Sequence, residues 1–151
     1  MGSTQESGVA RGVKIMAVDL GQARTGVAFS DLSGFLAGRC LTVTEHARQR
    51  LLDALCAQVA AEKPGRIVVG LPVNMNGTEG PKAQEARAFA AELAQVCGVE
   101  TVLWDERGSS VTANRILSDA GKKRARQRAR VDAVAATVIL QSYLDMLNMK
   151  R

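Results

Sequence analysis

Aromatic side chains make up only 3% of the 151 residues: three Phe, one Tyr and one Trp. Modules that read nucleic acid by stacking bases on rings, such as RRM and OB-type folds, have too little to build on. Histidine is rarer still. His46 stands alone ahead of a helix-like run, with no cysteine nearby, and is expected at the surface. Zinc sites and His-dependent triads therefore have almost no material. The three cysteines, Cys40, Cys56 and Cys97, are odd in number and contain no C-x-x-C pair. Each has apolar neighbours, so buried reduced thiols are expected. No apolar run approaches the roughly 18–20 residues that span a bilayer. Residues 1–12 are polar and Gly/Ser-rich, so they are expected as a disordered lead-in and not a secretory signal. These absences point to a cytoplasmic protein that engages no membrane.

What is present is globular. Apolar residues are 46% and charged residues 23% of the chain, and one domain over 13–148 is expected. The charge is uneven. Lys122, Lys123, Arg124, Arg126, Arg128 and Arg130 form a short stretch without an acid, while the whole chain carries a net +5. Outside these six cations the chain is slightly acidic. A local patch of this kind suits a polyanion contact; a merely solvated charged loop is the alternative.

Hydrophobic patterning predicts strands over Val13–Leu20, Gly26–Ser30 and Leu41–Thr44, the first two joined by a five-residue connection. A helix is expected over Ala47–Lys63, with Leu51, Leu52, Leu55, Cys56 and Val59 on one face and Pro64–Gly65 as its stop. Arg66–Leu71 is continuously apolar after its first residue and reads as a strand buried on both faces. After a polar loop, Pro81 opens a helix carrying Ala86, Phe89, Ala90, Leu93 and Cys97, closed by Gly98. Thr101–Trp104 is a further strand. Ser109 or Ser110 can cap a helix running through Ala120, and a last helix spans about Val131 to Leu147. The order βββ-α-β-α-β-α-α implies an α/β fold: a mixed five-stranded sheet, three strands in an antiparallel meander and two parallel, with helices on both faces.

Three acids occupy unusual positions. Asp19 sits in an otherwise apolar strand, sharing a face with Ile15 and Ala17 or facing the rim. An isolated carboxylate there is costly unless it is paired or binds a metal. Asp105 and Glu106 end another strand, and the pleat sends them to opposite faces. Asp132 opens the last helix on the stripe of Ala135, Ala136, Ile139 and Tyr143, which packs on the sheet. Singly, each has a plain explanation: a strand-end hydrogen bond, a pair with Arg107, a favourable acid in a helix's first turn. Together, carboxylates without His or Cys supply hard oxygen ligands suited to Mg²⁺ or Mn²⁺. Two such ions about 4 Å apart can activate water and stabilise the leaving oxygen in phosphodiester hydrolysis, a two-metal mechanism that needs no histidine.

Four segments then resemble the YqgF family, pre-16S rRNA nucleases of RNase H-like fold related to Holliday-junction resolvases. They are VDLGQARTGVAFSD (18–31), IVVGLPVNMNGTEGP (67–81), DERGSS (105–110) and VDAVAATVILQSYLD (131–145). The resemblance implies that Asp19, Glu106 and Asp132 are the catalytic, metal-binding acids, with Asp105 in reserve. It aligns Arg24 and Arg107 with the family's arginines, as nucleic-acid contacts beside the basic segment. It implies water attack in line, leaving a 5′-phosphate and a 3′-hydroxyl. Pre-rRNA, free or within a pre-ribosomal particle, is the favoured partner, with branched DNA as the alternative and a monomer or weak homodimer as the active form. Asn76 and Gly108 depart from the family's usual Asp and Leu, and Thr112 and Asn114 stand where many members carry acids. Two readings from other classes stay open: a phosphate hairpin of the actin and Hsp70 type at Asp19–Gly21, and a basic binding module without catalysis.

Overall fold

The computed structural model describes residues 13–31, 37–109 and 131–149. Its elements are β1 (Ile15–Asp19), β2 (Arg24–Ser30), β3 (Ala37–Thr44), α1 (Arg48–Glu62), β4 (Arg66–Leu71), α2 (Pro81–Cys97), β5 (Thr101–Asp105), a 3₁₀ turn (Glu106–Ser109) and α3 (Val131–Met149). The strands form one sheet in the order β3-β2-β1-β4-β5. β1, β2 and β3 pair antiparallel, whereas β4 pairs parallel with β1 and with β5. This is the expected meander plus two parallel strands. The helix expected up to Ala120 and the basic stretch Lys122–Arg130 lie outside the described residues.

Alternation along the strands divides the core between two faces. Met16, Val18, Val27, Phe29, Ile67 and Val69 pack against Leu51, Leu52 and Leu55 of α1 and Phe89, Ala90 and Leu93 of α2. Ile15, Ala17, Ala28 and Val68 face the other way, against Ala136, Ile139, Leu140, Tyr143 and Leu144 of α3. β4 is buried throughout because helices cover both its faces. Helix ends follow local chemistry. Pro81 occupies the first turn of α2, and Gly98 closes it at φ 69° with its N–H on the Ala94 carbonyl. α1 ends through Lys63 in the same left-handed region, at φ 52°, immediately before Pro64.

Three expectations need correction. β2 begins at Arg24 and β3 at Ala37, earlier than hydrophobicity indicated. Backbone pairing from Arg24↔Thr44 to Ser30↔Ala37 holds these residues in the sheet whether or not their side chains are apolar. Cys40 is exposed, not buried, because β3 is an edge strand that the helices do not fully cover. His46 is exposed, as expected.

The direction of α3 is set by contacts at two points along β4. Tyr143 accepts a hydrogen bond from the buried Arg66 at the start of β4 (2.7 Å) and stands edge-on to Trp104. Ile139, one turn earlier, reaches Gly70 near the end of β4. α3 therefore runs antiparallel to β4, and its N-terminal turns lie toward the carboxyl ends of the parallel strands. No helix among the described residues is long and apolar enough to cross a membrane.

Cys56 on α1 and Cys97 at the end of α2 bring their sulfurs within 3.0 Å, both half-buried. Burial and the neighbouring Cys56 push the Cys97 thiol up to about 12. Because the thiolate is the reactive form, an aromatic disulfide reagent at pH 8 should modify Cys40 rapidly. Cys97 should react only slowly until denaturant is added. Equal rates at all three thiols would contradict this packing.

Candidate functional site

The carboxyl ends of β1 and β4 border an open cleft of about 190 Å³. This is where the chain leaves β1 for β2 on one side and β4 lies on the other, the position at which open α/β sheets commonly bind ligands. The end of β1 contributes Asp19 and the β1–β2 turn Leu20, Gly21 and Gln22; β4 and the residue after it contribute Gly70 and Pro72. Glu106 enters from the 3₁₀ turn, and Lys82, Glu85 and Ala86 from the first turns of α2. The turn is tight: a Cβ on Gly21 would overlap the Arg24 carbonyl.

Asp19 is the last residue of β1, half-buried and paired with Gly26 of β2. Alternation with Ile15 and Ala17 places it on the α3 face, one of the two orientations expected. The parallel register Val18↔Val69 sets Asp19 beside Gly70. A Cβ at Gly70 would stand 2.6 Å from Oε2 of Glu106 and 2.6 Å from Cδ1 of Ile139. The Glu106 carboxylate therefore lies directly over the bare backbone of β4, next to the helix that covers it. No hydrogen-bond donor reaches it among the described residues. Burial, with the Asp105 charge as a lesser cause, raises its pKa above the ordinary carboxylate value. A half-buried carboxylate in a cleft, unbonded among the described residues, has the character of a ligand group.

Asp105 is disposed differently. It accepts from the Arg107 side chain at 2.7 Å and from the Arg107 backbone N–H at 2.9 Å, and this holds its carboxyl below the usual range. It does not line the cleft. Arg107 is exposed and also reaches the Met75 carbonyl at 3.4 Å. Arg24 starts β2, exposed, at the same end of the sheet. Asn76 is engaged within its own loop, where Oδ1 accepts from the Thr78 N–H (3.0 Å) and hydroxyl (2.7 Å). That Asx-type turn explains the residue without a metal.

Asp132 is the second residue of α3, two turns before Ile139, so its backbone belongs to the end of the helix nearest the cleft. Its side chain lies outside the described residues, as do Lys122, Lys123, Arg124, Arg126, Arg128 and Arg130. Among the described residues no three His, Cys, Asp or Glu side chains form a cluster able to hold a metal. The structure thus brings Asp19 and Glu106 into one cleft. Sequence reasoning did not single out Gly70, Lys82 or Glu85. Gly70 sat inside an apolar run, and the other two read as the solvent side of a helix. Their i, i+3 spacing around the buried Ala83, directly after Pro81, was the available signal.

Over residues 13–146 the sequence matches RuvX, described as Holliday junction resolvase. The chain belongs to the RuvX family. Curated relatives carry the name "Putative pre-16S rRNA nuclease". The one from Myxococcus xanthus is 44% identical over 133 residues, 88% of each chain. That from Syntrophomonas wolfei is 43% identical over 136 residues, 88% of this chain and 94% of the relative. Among solved structures, Thermus thermophilus RuvC in complex with a Holliday junction substrate superposes with a TM-score of 0.63 at 13% identity, covering 91% of this chain and 96% of that one. The fowlpox virus resolvase with Holliday junction DNA gives 0.58 at 11% identity, covering 89% and 98%. At such identities the likeness is one of fold, and it is the RNase H-like fold expected for the RuvX family.

Two outcomes are expected from the geometry over Gly70. Both atoms that a Cβ would meet are side-chain tips, so Gly70→Ala should leave the protein folded at a cost of about 1–3 kcal/mol. The displaced Glu106 should weaken Mn²⁺ binding, read by titration of both forms. Glu106→Gln should raise the Tm at pH 7–8 in chelator, because a raised folded-state pKa means that ionisation opposes folding. The gain should disappear below about pH 4, where the carboxyl is protonated in both states. A Tm difference independent of pH would contradict the burial argument.

Proposed function

We propose that this chain is a divalent-metal-dependent nuclease that hydrolyses phosphodiester bonds in the 5′-end processing of pre-16S rRNA, acting in the cytoplasm. The observation that carries this is the pair of carboxylates, Asp19 and Glu106, lining one cleft beside Gly70, the second of them half-buried with no hydrogen-bond partner among the described residues. The names of the M. xanthus and S. wolfei relatives support the substrate. Hard oxygen donors and the absence of imidazole or thiolate from the cleft fit Mg²⁺ or Mn²⁺. Asp19, Glu106 and Asp132 are the residues that would hold the ion. A divalent cation bound there supplies Lewis acidity toward the phosphate and lowers the pKa of water.

The chain's own contribution is position and charge. None of the described residues lining the cleft has a hydroxyl, thiol or imidazole, which favours direct attack by water over a covalent enzyme intermediate. The water oxygen bonds to phosphorus as the bond to the 3′-oxygen breaks, leaving a 5′-phosphate and a 3′-hydroxyl. Asp105 holds the Arg107 guanidinium against the 72–80 loop, where it also reaches the Met75 carbonyl. Arg24, Arg107 and the six cations of Lys122–Arg130 are the groups that would grip the phosphates. Branched DNA is the second reading, favoured by the family's description as Holliday junction resolvase.

Incubation of the purified chain with a pre-16S 5′-leader RNA and with a four-way DNA junction, in Mg²⁺ or Mn²⁺, separates these readings. Leader cleavage that is abolished in Asp19→Asn is the expected result; junction cleavage would transfer the assignment to DNA. Binding without cleavage of either substrate would leave a binding module. Neutralising Lys123, Arg124 and Arg126 together should flatten the log–log salt dependence of RNA binding by about two units, at roughly 0.7 per phosphate contact. An unchanged slope would place the grip elsewhere.

A further inference from the structure

The acids explain how the cleft could attract cations, but they leave its polyanionic substrate without a counter-charge inside it. Of the described side chains lining the cleft, Asp19, Glu85 and Glu106 are acidic and Lys82 alone is basic. Glu85 is engaged from outside by Arg48, at 3.2 Å. Arg48 also pairs with Glu92 at 2.8 Å and lies over the Phe89 ring, so this pair belongs to the α1–α2 contact. Lys82 makes no ion pair among the described residues. A lysine whose purpose was to neutralise these acids would be expected to sit on one of them. Lys82 is exposed and lines the cleft instead. Its backbone, by contrast, is well placed: Pro81 before it fixes the start of the helix, and Ala83 after it is fully buried.

We infer that Lys82 is a substrate-binding residue, the cation that takes a non-bridging oxygen of the phosphate lodged in the cleft. The inference rests on the proposed function, since it deepens the same site. A phosphate between the acids' metal and this ammonium would be neutralised from two sides, with the lysine acting as a point charge that tolerates any base sequence. The same charge has an opposite effect on the empty cleft, where it opposes the arrival of a divalent cation. One residue should therefore move two affinities in contrary directions, which a role in folding alone would not do.

The test uses the full chain with Mn²⁺ and a short single-stranded RNA bearing a 5′-phosphate, the product of the proposed cut, so that binding requires no turnover. Wild type, Lys82→Gln, Lys82→Arg and Asp19→Asn are compared. Lys82→Gln should bind the RNA more weakly, with the salt slope flattened by about 0.7, one contact. It should bind Mn²⁺ about 2–5-fold more tightly, as expected from removing a like charge across a partly screened cleft. Lys82→Arg should restore both values toward wild type. Unchanged RNA affinity and slope in Lys82→Gln, with Mn²⁺ binding intact in wild type and lost in Asp19→Asn, would overturn the role of Lys82 and leave the metal site standing. A wild type that binds no Mn²⁺ would overturn both.

Discussion

The missing side chain at Gly70 lets a helix and a carboxylate share the same stretch of β4. Ile139 of α3 and Glu106 of the 3₁₀ turn each approach that backbone to a distance no Cβ would allow. Close approach of this kind is a use of glycine distinct from its conformational freedom. With a larger residue there, the tips of Ile139 and Glu106 would have to shift. A shifted Glu106 carboxylate would sit differently in the cleft that it lines together with Asp19.

The rest of the architecture serves to hold that juxtaposition. Parallel pairing of β1 and β4 brings the end of one strand beside the end of the other, so Asp19 meets Gly70 through backbone register. Arg66, Tyr143 and Trp104 tie the far end of β4 and its neighbour β5 to α3, fixing the helix's direction. That direction points the start of α3, and with it the backbone of Asp132, toward the cleft. Buried polar contacts of this type set orientation and register more than they add stability. Glu106 shows the converse cost: its burial works against folding in the absence of a cation, as groups held ready for a ligand commonly do.

Charge is arranged on the same plan. Asp105 and Glu106 are adjacent in sequence, yet one holds an arginine at the surface and the other enters the cleft with no partner among the described residues. Their fates diverge because the strand ends between them and a 3₁₀ turn begins. Lys82 arrives from a different element, carried by a helix that packs on the opposite face of the sheet. The cleft thus combines groups from both sides of the sheet at its carboxyl edge.

By itself the sequence determined the order of the strands and helices among the described residues, the α/β class, the stop at Gly98, the start at Pro81 and the place of Asp19 at the end of an apolar strand. These are local matters: hydrophobic period, turn chemistry and caps act over a few residues and need no knowledge of what packs where. The family likeness was equally legible, because its motifs are contiguous. Tertiary structure alone decided that Cys40 is exposed, since edge position follows from strand order. It decided where β2 and β3 begin, since backbone pairing recruits residues whose side chains carry no strand signal. It also decided that Gly70 and Lys82 belong to the cleft. A glycine in an apolar run and a lysine on a helix carry no mark of their neighbours; only the register of β1 against β4, and the packing of α2 and α3 on opposite faces, gives them one.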